Sequence, residues 1–465
     1  RVREHAIVLS EGLQDQRDAV LAKLVTMTGD ADVRVQWQLA FSLGEFNGPS
    51  VVKALGQLAR QADKDADLRL AILTSVGKTL TEFGVALLSD PATMNSSLAR
   101  DVARMVGSTS NEEASKLLQQ GIAASPDSEQ VTAVAMAVGE GTMRRGVTLI
   151  QLAETMPVDS DIRKLINARL QVARNVARQS EAHLQARIRS VALLGLTGPA
   201  FSAETLSGLL SPQSPPELQQ AAVKTLLSLA HKPAQEQVLA QWKGLGPAAR
   251  KDAIDGLTQS RVGAALLLAG LVEGTVKTGE IDRDKQQLLM NYPQAEIRDQ
   301  ARKLLGGAAS NRREVVAKYQ PALELTGDAT RGQAVHAKIC MQCHRAGTTG
   351  HAVGPDLVSV QNKSPDDLLV AILDPNREAQ PVFVSYTAST DDGKVYTGII
   401  AAETAASVTL RRAEAKEDVV LRNQLEELVS NGVSLMPEGM EKDLTPQQVA
   451  DVIAYIKSLS PPTTK

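Results

Sequence analysis

Cysteine and aromatic residues are both scarce in this chain of 465 residues, which has 2 cysteines and 3% aromatic residues. So few cysteines exclude a disulfide-dense secreted scaffold, and so few aromatics argue against an aromatic-rich β-sandwich. The formal net charge is −3, which excludes a strongly basic nucleic-acid-binding protein and an acidic disordered chain. No run of about 18 uninterrupted apolar residues is present, so no membrane-spanning segment is predicted.

The N-terminus also lacks two common features. The chain begins at Arg1-Val2-Arg3, with neither a methionine nor an apolar leader. We expect such a start in a mature protein after removal of a signal, and equally in a fragment of a longer protein. Both interpretations stay open.

Helical periodicity fills the first two-thirds of the chain, residues 1–306. Helical spacing relates Val33, Trp37, Ala40, Phe41 and Gly44, which predicts the apolar stripe of an α-helix. Trp37 and Trp242 are also predicted to fill the core. An apolar-Arg opening and a closing small residue recur in units of roughly 30–40 residues. This pattern predicts an α-solenoid of helix pairs and resembles HEAT-type repeats. The array serves either as a spacer or as a docking surface, and the sequence leaves both open.

Both cysteines lie in the C-terminal third, in one Cys340-Met341-Gln342-Cys343-His344 motif. Thiols at this spacing each add to one vinyl group of a haem, and the adjacent histidine supplies its Nε2 as an axial ligand. A thioredoxin-like redox pair would need a βαβ context, and half of a zinc site would need two more ligands. The motif therefore predicts one covalently attached haem c, held by Cys340, Cys343 and His344.

The neighbourhood of this motif resembles a class I cytochrome c. Gly332 stands eight residues before Cys340, and the resemblance implies that it lets an N-terminal helix cross closely against a C-terminal one. That second helix is expected at 446–459, with Tyr455 as its packing aromatic. His336 stands where the family usually has an aromatic residue, and we expect it to replace that packing.

The resemblance also implies how the iron is held. In the family a proline carbonyl accepts the Nδ1–H of the axial histidine, and Pro355 is the expected proline for His344. A Met-Pro pair before the last helix supplies the second axial ligand, which implies Met436 here, with Met440 and His351 as alternatives. Histidine and methionine ligation fills both axial positions and favours electron transfer over chemistry with O₂ or peroxide.

The stretch between His344 and Met436 is longer than a small cytochrome needs. A short helix with a proline stop is expected at 364–375, and a hairpin signal follows at Asp391-Asp392-Gly393. Four strands are predicted, at 383–390, 394–400, 407–410 and 418–421. We therefore predict a small antiparallel β insertion covering about 382–429.

Three motifs together resemble the haem-binding C-terminal domain of large planctomycete and verrucomicrobial proteins described as membrane-bound dehydrogenase-like. They are Ile372-Leu373-Asp374-Pro375-Asn376, the hairpin from Gly393 to Ile399, and Ser434-Leu435-Met436-Pro437-Glu438-Gly439. In that family a β-propeller often precedes the helical repeats, and this sequence has no propeller pattern. The resemblance implies that any substrate oxidation lies upstream or on a partner, so the chain is not expected to be an enzyme on its own.

The expected fold is thus mainly α, with a HEAT-like array at 1–306, a connecting helix or linker at 307–325 and a class I cytochrome c domain at 326–465. The expected function is electron transfer from a dehydrogenase donor to a downstream carrier, with the array as scaffold. The alternatives are an interaction scaffold with a haem-based redox or gas sensor and, less favoured, a peroxidase-like enzyme. Covalent haem attachment implies a periplasmic or otherwise exported location, and no nucleic-acid partner is expected.

Overall fold

The computed structural model describes residues 1–123, 128–229, 231–305, 312–377 and 379–460. The chain is mainly helical, at 62% helix, with a small antiparallel sheet. Its contacts define two compact units, Arg1–Gln179 with Ala192–Phe201 and Ser180–Val191 with Ser202–Lys465. The domain boundaries expected from sequence stay a prediction, and residues 307–311 of the linker expected at 307–325 lie outside the described residues.

Twenty-three α-helices occur in the described part of the chain. They are α1 Val2–Ser10, α2 Arg17–Leu24, α3 Val33–Leu43, α4 Pro49–Ala59, α5 Ala66–Ser75, α6 Leu80–Ser89, α7 Ser97–Gly107, α8 Asn111–Ala123, α9 Ser128–Met143, α10 Leu149–Glu154, α11 Asp161–Arg178, α12 Leu184–Leu194, α13 Pro199–Ser207, α14 Pro216–Ser228, α15 Lys232–Ala240, α16 Pro247–Leu257, α17 Arg261–Glu273, α18 Arg283–Met290, α19 Ala295–Leu305, α20 Arg313–Tyr319, α21 Ala329–Val335, α22 Pro365–Leu373 and α23 Pro446–Ser458.

Each unit contains helices that pack against the next helix but one. In the first unit α3 packs against α5 and α7 against α9, and in the second α14 packs against α16 and α15 against α17. Stacked helix pairs produce this spacing, while the assignment to HEAT repeats stays a prediction. None of the described helices is by itself long and apolar enough to cross a membrane. Two helices joined at a bend, Ala66–Ser75 and Gly77–Ser89, together have the length and composition of a membrane span.

Helix α3 is present as predicted, but it turns a different face to the core. Its buried aliphatic stripe consists of Val35, Leu39, Ala40 and Leu43. Val33 and Phe41 are 46% and 47% exposed, and Trp37 is half-buried with its Nε1–H donating to Asp65 at 3.0 Å. The predicted stripe was therefore right for Ala40 and wrong for Val33 and Phe41, because apolar residues recur at helical spacing on two adjacent faces of this helix and periodicity alone does not identify the inner one.

The second unit contains a five-stranded antiparallel sheet in the order β4-β3-β2-β1-β5. Its strands are β1 Val384–Thr390, β2 Val395–Glu403, β3 Ser407–Arg412, β4 Lys416–Leu421 and β5 Leu425–Ser434. The first four were predicted, but β5 was missed and the expected end of the insertion at 429 was too early. Asn431-Gly432 inside β5 is a turn signal in sequence, and Gly432 has a φ of +67°.

The ends of the sheet insertion lie side by side. Strands β1 and β5 pair along their length, and Val384 stands opposite Ser434. The chain therefore leaves the helical part at β1 and returns beside the same point at β5. An insertion of this kind brings the segment after α22 and the loop around Met436 together instead of separating them.

A buried ion pair lies where the sheet meets the helices of the second unit. Arg250 on α16 donates from Nη1 to Oε1 of Glu280 at 2.9 Å, and their side chains are 3% and 4% exposed. The guanidinium of Arg250 also lies 5.2 Å from the ring centre of Tyr386 on β1. Trp242 is buried here as predicted, and its Nε1–H donates to Glu280 at 3.1 Å. Because each charge has hydrogen-bonding partners, the pair tolerates burial.

A second buried arginine joins the sheet to the loop before α14. Arg422 donates to the backbone oxygens of Pro212 at 2.6 Å and Thr404 at 2.8 Å. Its remaining nitrogen pairs with Glu403 on β2 at 2.6 Å. The guanidinium thus connects a backbone carbonyl of the helical region with two points on the insertion.

The C-terminal helices cross at a glycine, as the resemblance implied. A Cβ on Gly332 of α21 would overlap the backbone carbonyl of Asp451 on α23, so only glycine permits this close approach. The Asp451 carboxylate accepts two hydrogen bonds from Arg331, both at 2.8 Å. The core around this crossing includes Leu357, Leu368, Leu369, Leu373, Val449, Val452, Tyr455 and Ile456.

Candidate haem site

A wide helical turn follows α21 and contains the first cysteine. The turn covers His336–Cys340 and is π-helical, and the backbone N–H of Met341 donates to the carbonyl of His336 at 2.8 Å. The carbonyl of Cys340 then accepts the N–H groups of Cys343 at 3.1 Å and His344 at 2.8 Å. These bonds fold the motif into a compact loop, so the two thiols and the imidazole belong to one rigid segment.

Burial changes the acid–base properties of the two thiols. It raises the pKa of Cys340 to about 11, with the nearby Cys343 adding to the shift, and it also raises the pKa of Cys343. Neither cysteine forms a disulfide. Thiols with a raised pKa stay protonated at neutral pH, in contrast to the low-pKa thiolate of a dithiol redox catalyst.

His344 has a fixed orientation. Its Nδ1 lies 2.8 Å from the carbonyl oxygen of Pro355, and because a carbonyl only accepts, this nitrogen carries the proton. Burial lowers the pKa of His344, with a smaller opposing effect of the Pro355 hydrogen bond. The ring is therefore neutral at pH 7, and its Nε2 keeps a free lone pair, as a metal ligand requires.

Gly354 lets the backbone pass against the His344 ring. A Cβ on this residue would lie 2.5 Å from Cε1 of His344, which is too close for any other residue type. The N–H of Gly354 also donates to the carbonyl of Cys343 at 2.7 Å. The segment that holds the imidazole is thus attached directly to the cysteine motif.

The cysteine motif opens onto a mainly apolar cavity of about 570 Å³. Small-molecule and cofactor pockets usually measure roughly 300–1,000 Å³ and combine apolar walls with a few placed polar groups. The walls include Cys340, Cys343, His344, Val353, Pro355, Leu357, Leu368, Ile372, Asp374, Phe383, Ile399, Ser434, Leu435, Met436, Val452 and Ile456. The residues present fit a covalently bound haem, because two thiols, an oriented imidazole and a thioether share one apolar space.

The two candidate methionines lie in different places. Met436 lines the cavity, and its backbone N–H donates to the hydroxyl of Ser434 at 3.1 Å. The backbone N–H of Ser434 in turn donates to Oδ1 of Asn376 at 2.8 Å. Met440 packs against the neighbouring helical core and is not among the residues that line the cavity. The structure thus brings Met436, and not Met440, into the same space as His344.

The other candidate histidines lie outside the cavity. His336 is 2% exposed, and its ring centre lies 5.4 Å from that of Tyr455, so it occupies the packing position expected for an aromatic. Burial lowers the pKa of His336. His351 is half-buried and connects to the loop through its backbone N–H, which donates to the Met341 carbonyl at 3.1 Å.

Sequence reasoning missed the contribution of the insertion to this site. Phe383 and Ile399 line the cavity, although the sequence pattern around them predicted only strands. The N–H of Glu414 donates to the carbonyl of Gln342 at 2.7 Å, inside the cysteine motif. The hairpin pattern shows where the strands lie, but it contains no signal for the surface against which they pack.

Comparisons with known proteins agree with this site. The cytochrome c family model matches residues 329–460, so the C-terminal part of the chain is similar to cytochrome c domains, a family whose members imply covalently bound haem c and redox partners. No curated protein matches the chain significantly. Among solved structures, human deoxyhypusine hydroxylase in complex with glycerol aligns at 14% identity over 63% of this chain and 98% of that one. Its TM-score of 0.19 supports no structural conclusion.

Proposed function

We propose that this chain transfers electrons through one c-type haem, attached to Cys340 and Cys343 and ligated by His344 and Met436. The observation that carries the proposal is that these four side chains meet in one apolar cavity. Bound there, the haem supplies an iron centre that alternates between Fe(III) and Fe(II). With His344 and Met436 both as ligands, the iron would have no free position for a substrate.

The residues of the chain have separate tasks in this proposal. Pro355 holds the Nδ1–H of His344 and so keeps Nε2 available as a ligand. Ser434 and Asn376 hold the backbone before Met436. The apolar walls exclude water and lower the local dielectric constant, which limits reorganisation when the charge of the iron changes.

The helical region acts as the scaffold of the haem domain in this proposal. The contacts of Arg250 with Tyr386 and of Arg422 with Pro212 support it, since they attach the insertion to α16 and to the loop before α14. Electrons would come from a dehydrogenase, either upstream or on a partner, and pass to a downstream carrier in the periplasm. Support for the dehydrogenase is limited to the resemblance of the three C-terminal motifs.

The test is the absorbance spectrum of the full chain expressed with a c-type maturation system. We expect covalently bound haem, a low-spin spectrum in both oxidation states and a far-red methionine-to-iron charge-transfer band in the ferric protein. Met436→Ala should lose this band and Met440→Ala should keep it. A high-spin wild-type spectrum with immediate CO binding would contradict electron transfer and favour the sensor alternative.

A further inference from the structure

The wall of the candidate haem cavity contains a carboxylate that accepts no hydrogen bond from the described residues. Asp374 directly follows α22 and lines the cavity. The residue is 2% exposed, and neither of its carboxylate oxygens has a hydrogen-bond partner among the described residues. Its backbone N–H is satisfied by the carbonyl of Val370 at 2.8 Å. A buried carboxylate without donors is energetically costly, and neither oxygen is exposed to the cavity, so any effect of this group on a bound molecule acts through space.

The charged groups near Asp374 leave its carboxylate without a hydrogen bond. Arg312 interacts electrostatically with Asp374 but donates to both carboxylate oxygens of Glu441, and Lys363 also lines the cavity. The carboxylates of Glu441, Glu438 and Asp374 all raise the pKa of Arg312, and Glu441 has the largest effect. One guanidinium therefore serves three carboxylates, and Asp374 is the one of the three that has no hydrogen bond in the described structure.

We propose that Asp374 sets the reduction potential of the bound haem by stabilising its ferric state. The inference rests on the proposed function. Oxidation adds one positive charge at the iron, and a carboxylate in the cavity wall favours that state through space. Because the group is buried, salt screens this interaction little. A unit charge about 10 Å away, at an effective dielectric constant near 20, shifts such an equilibrium on the order of tenfold.

The experiment is potentiometric titration of the haem-loaded full chain. Asp374→Asn removes the charge with little change in shape, and we expect it to raise the midpoint potential, shifting the redox equilibrium toward Fe(II) several-fold to tenfold; tenfold is about 59 mV for one electron. Asp374→Glu keeps the charge and should stay near wild type. Asp443→Asn, which removes an exposed carboxylate after the turn at Met440–Lys442, is the matched control and should shift the equilibrium less than about twofold.

Salt and haem content separate the possible outcomes. The effect of Asp374→Asn should persist at high salt, whereas a surface effect should fade. An unchanged or lowered midpoint potential in a haem-loaded Asp374→Asn protein would overturn the inference while leaving electron transfer intact. A wild-type chain that binds no haem, or that is not reversibly reduced, would overturn the proposed function itself. Asp374→Ser provides a second neutral variant should the asparagine variant fail to fold.

Discussion

The backbone N–H of Glu414 donates to the carbonyl of Gln342 at 2.7 Å, so the turn between β3 and β4 is tied to the segment between the two cysteines. Arg411 adds a second bond, from Nη1 to the carbonyl of Ala352 at 3.1 Å. Elsewhere on the same sheet, Arg422 binds the loop before α14. The insertion thus contacts both the cysteine motif and the loop before α14.

The turn that reaches Gln342 has an unusual backbone, and this gives the first prediction. Glu414 and Ala415 have φ values of +63° and +53°, a conformation that costs an L-residue roughly 1–2 kcal/mol. Ala415→Gly should therefore raise the free energy of unfolding by about 0.5–1 kcal/mol, because glycine adopts positive φ freely. Ala413→Gly, in the same turn but without positive φ, should lower it by a similar amount. Urea unfolding of both variants gives the comparison, and equal losses would contradict the strain argument.

Arg422 gives the second prediction, which concerns the attachment of the insertion. Arg422→Ala leaves Glu403 buried without its partner, and breaking a buried pair in this way costs about 3–5 kcal/mol. Burial already raises the pKa of Glu403 even with Arg422 in place, so the remaining carboxylate should become protonated more easily. Urea unfolding monitored by circular dichroism would measure the loss.

The matched control for Arg422 is an exposed pair on the same sheet. Arg412 pairs with Asp418 at 2.8 Å, but their side chains are 49% and 22% exposed. Arg412→Ala should therefore cost no more than about 1 kcal/mol. Similar losses in the two alanine variants would show that the Arg422 contact does not anchor the sheet.

Short contiguous patterns made the haem site readable from sequence. The two cysteines and His344 lie within five residues, and the resemblance to a class I cytochrome c implied Pro355 and Met436. The structure places all of these side chains around one cavity. Four of the five strands followed from local alternation and turn residues, neither of which depends on distant contacts, and the resemblance to a class I cytochrome c implied the C-terminal helix.

Features that depend on tertiary packing were not predictable in this way. The inner face of α3 is Val35 and Leu39, not Val33 and Phe41, since both sets have helical spacing. Strand β5 was missed because its pairing with β1 outweighs the Asn-Gly signal within it. The isolation of the Asp374 carboxylate was equally invisible, because an absent partner is a property of the fold and not of any sequence pattern.

Gly332 gives the third prediction, at the crossing of α21 and α23. Gly332→Ala places a Cβ against the backbone carbonyl of Asp451, and a backbone atom has no rotamer by which to move aside. We expect a loss of about 2 kcal/mol or more in the free energy of unfolding. The control is Gly56→Ala in α4, where a Cβ meets nothing within 4 Å and should stabilise the helix by about 0.5–1 kcal/mol. If Gly332→Ala leaves the free energy of unfolding unchanged, the two helices can move apart without losing stability.

The carboxylate of Asp451 gives the last prediction, a dependence of stability on pH. Its oxygens accept hydrogen bonds from Arg331 and from the backbone N–H of Asp328. The Arg331 interaction is the main reason why the pKa of Asp451 is lowered from its usual 3.8 to about 2. Because the folded-state pKa lies below the unfolded one, the ionised carboxylate stabilises the fold above about pH 4, and this contribution is lost as the pH falls toward about 2.

Asp451→Asn should therefore lower the free energy of unfolding by about 1.5–3 kcal/mol at neutral pH, the usual contribution of hydrogen bonds to a charged group. The difference from wild type should shrink as the pH is lowered from about 4 to about 2. Urea unfolding across this range measures both proteins, and Asp443→Asn serves as an exposed control whose small difference should stay nearly constant. If the difference in free energy of unfolding between Asp451→Asn and wild type does not change with pH, the carboxylate contributes through packing and not through its charge.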